Sequence, residues 1–150
     1  MIELAAICLA ANIYFEARGE PVAGQMAVAH VTVRRANRDS NRICQQVLRK
    51  QQFSWLNGKT NEKDGVILAA FKQPKDRKAW QRSYAIANKV LKKKYWDNTG
   101  GATHFHATSV SPKWSRSPNM KVTATIGKHV FYKRVATISV AKVQRGGVDA

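Results

Sequence analysis

A change of periodicity at Gly100-Gly101 constrains this chain more than any other feature. Before it, apolar residues recur at three- and four-residue steps; after it, short runs alternate. Ile2, Ala5, Ala6, Leu9, Ala10, Ile13 and Ala17 form a broad Ala-rich stripe, which predicts a buried helix over 2–17. Gly19 suits a left-handed helix end and Pro21 the first turn of a new helix. A second helix is therefore expected over 21–37, with Val22, Met26, Ala29 and Val33 inward. Ser40 or Asn41 can cap a third that runs to Arg49 with Ile43, Val47 and Leu48 inward. VILAAF at 66–71 is a short apolar segment, and a long helix is expected over 76–95. Trp80, Tyr84 and Trp96 on or beside it read as core. Past the glycines, 103–107, 121–126 and 129–134 read as strands, the last two joined at Gly127-Lys128.

The result is an α+β chain, an N-terminal helical body with a small C-terminal antiparallel β-sheet. No repeat or linker divides the 150 residues, so one domain is expected over 1–150, ending in a polar tail over 135–150. The N-terminus lacks a basic leader region and a clear cleavage site, so it reads as a mature helix without a secretion address. No apolar run approaches the roughly 20 residues that span a bilayer. Cys8 and Cys44 make no Cys-x-x-Cys pair, which argues against a zinc finger. Their apolar neighbours favour two buried thiols, with a single bridge as the alternative.

Charge narrows the partner. Lys and Arg number 26 against 9 Asp and Glu, a formal net charge of +17. Such an excess calls for a polyanion: nucleic acid, an anionic membrane or an anionic cell-wall polymer. The acid shortage narrows the chemistry, because any catalytic carboxylate is one of nine. Glu16 is the candidate that its setting favours. It ends an apolar helix beside Tyr14 and Phe15. Desolvation there raises the pKa of a carboxyl and suits it to general-acid work near neutrality. Pairing with an Arg is the plain alternative. Glu20 lies at the start of the next helix, where a carboxylate is favoured structurally.

The stretch IYFEARGEPVAGQMAVAHVTVRR, residues 13–35, resembles the signature of the cell wall hydrolase SleB family, the spore cortex-lytic type. QQFSW (51–55), GGATHFHA (100–107), Pro112-Lys113-Trp114 and TIGKHVFYK (125–133) agree with it in order. The resemblance implies a lysozyme-like fold, action on peptidoglycan glycan strands, and Glu16 as the catalytic acid. It also implies no metal or other cofactor. Some family members are described as amidases. The chain differs from the spore enzymes in its high charge and in having no separate wall-binding domain; compact members of this kind occur as bacteriophage endolysins. In that setting the protein would stay in the host cytoplasm until release, then work as a monomer in the periplasm or wall, with anionic outer-membrane lipid as a further contact.

One carboxylate suffices for a lytic transglycosylase, and two serve a lysozyme-type muramidase; Glu16 with Glu20 is the candidate pair. Gln52, Phe53, Ser54, Trp55, Thr103, His104, Phe105, His106, Trp114, His129 and Tyr132 are candidate substrate contacts, aromatic faces for sugar rings and polar groups for their hydroxyls. His104 and His106 alternate on one strand face, and His129 is a candidate third ligand for a zinc amidase, the competing reading. A basic nucleic-acid binder is the third reading, but no nucleic-acid motif supports it. Bases at helix ends and outer faces, among them Arg34, Arg35, Arg38 and Lys92 to Lys94, read as an adsorption field.

Overall fold

The computed structural model describes residues 2–49 and 75–136. Helices α1 (Ile2–Ala17), α2 (Val22–Arg35), α3 (Ile43–Leu48) and α4 (Arg77–Leu91) precede strands β1 (His104–Ala107), β2 (Met120–Ile126) and β3 (His129–Arg134). The expected α+β division is therefore found, with the sheet beginning just past the glycine pair. Gly100 and Gly101 have φ of 71° and 87°, backbone that glycine adopts without penalty. The motif at 51–55, the apolar segment at 66–71 and most of the polar tail lie outside the described residues.

The Ala-rich stripe makes α1 the centre of the helical body. It packs against α2, α3 and α4, and Cys8, Leu9, Ala10, Ala11 and Ile13 are fully buried. The small side chains let three helices approach it from different sides. Asp76 caps α4, its Oδ1 accepting from the Ala79 N–H at 3.0 Å. Asp39, one position before the expected cap, accepts from the Asn41 N–H at 2.9 Å and opens a 3-10 turn, Ser40–Arg42, that leads into α3.

Four expectations need correction. Cys8 and Cys44 are joined in a disulfide that ties α1 to α3. The same apolar stripe that suggested buried thiols sets them face to face, with Cα atoms 5.2 Å apart. Helix α4 stops at Leu91, because Lys93 turns left-handed (φ 59°) and the Lys94 N–H closes onto the Lys89 carbonyl. The chain then swings outward and leaves Trp96 91% exposed, whereas Trp80 and Tyr84 pack on the core as expected. Arg34 and Arg35 are anchors. Arg34 pairs with Asp97 and donates to the Ala102 carbonyl, and Arg35 donates to the Thr103 carbonyl.

The sheet has strand order β1-β3-β2, all antiparallel. Its inner face carries Phe131 into a second cluster with Ala17, Ala27, Val28, Val31 and Ala102. Ala17 follows Glu16 directly, so this cluster brings the end of α1 to the sheet.

Candidate active site

Glu16 projects from the last turn of α1 and is partly buried. Burial alone pushes its pKa up from 4.5 to about 7. Among the described residues its carboxyl has no hydrogen bond or ion pair, so the Arg-pairing alternative finds no support there. Tyr14 is packed away between helices, its ring 5.9 Å from Trp80 and its hydroxyl accepting from the Asp76 N–H. Phe15 remains 40% exposed beside the acid.

Glu20 has a different setting. Its Oε1 accepts from the Lys128 N–H at 2.7 Å and lies 3.2 Å from His129 Nδ1. Gly127 (φ 57°) passes so close that a Cβ would collide with the carboxylate. The side chain thus clasps the β2–β3 turn, while the Glu20 carbonyl accepts from Gln25. This is the structural role a carboxylate at that position also allows.

The outer sheet face gathers most of the remaining described candidates. Cross-strand pairing sets His104 opposite Tyr132. His106 Nδ1 bonds the Ala107 carbonyl at 2.7 Å, so that nitrogen carries the proton. Nε2 then accepts from the Tyr132 hydroxyl at 2.9 Å. Trp114 sits on this group, 5.3 Å from the His104 ring, 5.7 Å from His106 and 5.2 Å from Tyr132. Thr103 Oγ1 lies 2.8 Å from His104 Nδ1. Burial, with the charges of Arg35 and Arg134, lowers the His104 pKa to about 4, so the ring is neutral at ordinary pH. The result is a patch of flat faces edged by hydroxyl and imidazole groups, which matches the apolar faces and polar rims of sugars.

His129 and Phe105 fall on the other side of the sheet. The register pairs Ala107 with His129 and Phe105 with Phe131, and cross-strand partners share a face. The Phe105 ring stands edge-on to His129 at 5.2 Å and beside Phe131 at 5.7 Å. The three-histidine zinc site is therefore overturned: the sheet separates His129 from His104 and His106, and His129 is turned to Glu20. Gln52, Phe53, Ser54 and Trp55 lie outside the described residues. Sequence reasoning missed the buttress beneath the site, in which Asp97 accepts from the Thr99 N–H and hydroxyl while Arg34 and Arg35 hold the carbonyls of Ala102 and Thr103. The two arginines lie more than 60 residues from the groups they hold, and those contacts follow no local pattern.

A family model described as Cell Wall Hydrolase matches residues 19–132. The fold is similar to the catalytic domain of the Bacillus cereus SleB protein, with 25% identity, a TM-score of 0.60, and coverage of 87% of this chain and 91% of that one. It is also similar to the catalytic domain of the germination-specific lytic transglycosylase SleB from Bacillus anthracis, with 26% identity, a TM-score of 0.62, and coverage of 87% and 95%. No curated protein matches the chain by sequence. The matched span begins three residues after Glu16, so the case for that residue rests on its motif and its surroundings.

Proposed function

Because this chain belongs to the cell wall hydrolase family, we propose that it cleaves the MurNAc–GlcNAc bond of peptidoglycan as a lytic transglycosylase. The observation that carries this reading is a carboxyl, Glu16, that burial keeps half-protonated near pH 7. Protonated Glu16 donates to the glycosidic oxygen, and the C1–O bond to the leaving sugar breaks. The resulting carboxylate then takes the proton of the C6 hydroxyl as that oxygen bonds to C1. A 1,6-anhydro ring closes, Glu16 is protonated again, and no water is consumed. Glu20, held at the hairpin turn, is unnecessary in this scheme. The Bacillus anthracis relative, described as a lytic transglycosylase, supports the choice over simple hydrolysis. Mass spectrometry of released muropeptides tests it: anhydro products are expected, and products one water heavier would replace the transglycosylase by a muramidase. An endolysin setting, with release from the host cytoplasm before the wall is reached, is part of the same proposal.

Two outcomes follow at the site. The donor form of Glu16 is lost as pH rises through about 7. The rate on soluble glycan strands should be level below that pH and fall about tenfold per pH unit above it; a rate still rising at pH 8 would contradict the assignment. Trp114 presents the largest ring of the outer face. Trp114→Ala should raise KM for glycan strands about tenfold with a smaller change in kcat, and an unchanged KM would remove Trp114 from the substrate path.

A further inference from the structure

A cavity of about 500 Å³ opens between the C-terminal ends of α2 and α4. None of the candidate catalytic or sugar-contacting residues lines it. Val33, Ile43, Val90 and Leu91 give it apolar walls, and Arg38, Lys93, Tyr95 and Trp96 lie at its margin. Asp97 also borders it, but that carboxylate is paired with Arg34, so the free charge at the rim is cationic.

Three observations mark it as a built site. His30 lines the cavity and is only 7% exposed, yet its Nε2 has no hydrogen-bond partner among the described residues. Burial lowers its pKa, so the neutral ring carries one donor and one acceptor nitrogen, and Nε2 is one of the two. A buried ring nitrogen of this kind is costly until a hydrogen-bond partner reaches it. Next, Arg38 and Lys93 each follow a helix end and each has φ of 59°. Glycine is the usual residue in that left-handed conformation, yet both positions carry a cation that borders the same cavity. Finally, Trp96 stands 91% exposed at the margin and offers a flat apolar face.

We propose that this cavity is a second, non-catalytic subsite for a peptidoglycan unit, an N-acetyl amino sugar with its carboxylate-bearing stem peptide. The proposal rests on the reading of the chain as a peptidoglycan-cleaving enzyme. Arg38 and Lys93 take a stem carboxylate, an amide group satisfies His30 Nε2 through its N–H or its carbonyl, methyl groups meet the apolar walls, and Trp96 covers a sugar face. An acyl lipid also brings an anionic head and an apolar body, but its chain has no hydrogen-bonding group for His30. Because the polymer repeats, one unit can be held here while another is cut at Glu16, which keeps the enzyme on its strand.

The test is a nuclear magnetic resonance titration with a purified 1,6-anhydro disaccharide tetrapeptide, a product without a further MurNAc–GlcNAc bond to cut. Signals of His30 and the Trp96 indole should shift, separately from those of Trp114. The double variant Arg38→Gly/Lys93→Gly should weaken the Trp96 response about tenfold through loss of charge-assisted bonds. It should leave the Trp114 titration alone and not lower the thermal midpoint, since glycine suits the left-handed backbone. The proposal is overturned if Trp96 does not shift, if it shifts equally in the variant, or if phosphatidylglycerol vesicles move it and the muropeptide does not. Digestion of purified sacculi by the wild type with no Trp96 shift removes the subsite and leaves the enzyme reading. A Trp96 shift with no muropeptide release does the reverse.

Discussion

Glu16→Gln is expected to lower the release of muropeptides from purified sacculi by about 10²–10⁴-fold, the range attached to a positioned general acid. The amide keeps the shape of the side chain but has no proton to give to the leaving oxygen and cannot take one from the C6 hydroxyl. Loss of the fold would give the same dead assay, so stability must be measured alongside. Here the expectation has the opposite sign. A carboxyl whose pKa is raised from 4.5 to about 7 on folding favours the folded state at low pH. That contribution is lost as pH rises through about 7, where the buried group must ionise. Gln carries no such penalty. The variant should unfold at a higher temperature than the wild type at pH 8 and at a similar one at pH 4. A Gln variant with near-normal turnover would remove Glu16 from catalysis. Glu20→Gln is the control, since its amide oxygen can still accept from the Lys128 N–H. It should retain turnover within about tenfold while weakening the link to His129, and an equally dead Glu20→Gln enzyme would favour two-carboxylate chemistry.

Removal of the Cys8–Cys44 bridge is expected to give the largest loss of stability. The cysteines are 36 residues apart, and opening a loop of that length costs about 4 kcal/mol in the chain-entropy account. For a domain of this size the thermal midpoint should fall by about 10 °C. Cys8→Ala/Cys44→Ala and the reduced wild type should both show the fall in thermal unfolding scans. Equal midpoints with and without reductant would mean that the packing of α1 against α3 carries the stability by itself.

Local pattern accounts for what was legible. The stripe from Ile2 to Ala17 gave α1 with its observed bounds, and alternation placed all three strands within a residue or so. The raised pKa of Glu16 is expected from its place at the end of an apolar helix, and burial is its cause. What escaped depends on distance in sequence. Whether two buried cysteines bond is decided by how α3 lies on α1. Whether His129 joins His104 and His106 is decided by strand register, which sends it to the inner face. Trp96 resembled a continuation of the α4 stripe, but the left-handed turn at Lys93 breaks the period before it. The Arg34–Asp97 pair spans 63 positions, and the cavity around His30 exists only once α2 and α4 end beside each other.

The contact between Glu20 and the turn at Gly127-Lys128 has a consequence for engineering. It joins parts of the chain more than 100 positions apart without any covalent bond, and the glycine leaves no spare volume beneath it. The length of this hairpin is therefore set from outside the sheet. A tag, a graft or a circular break placed here would disturb the segment that follows Glu16, even though the turn lies at the surface. Thr108 is tied to the same turn, its N–H donating to the Lys128 carbonyl, so the exposed Ser109-Val110 just beyond it is the more tolerant place to open or extend the molecule.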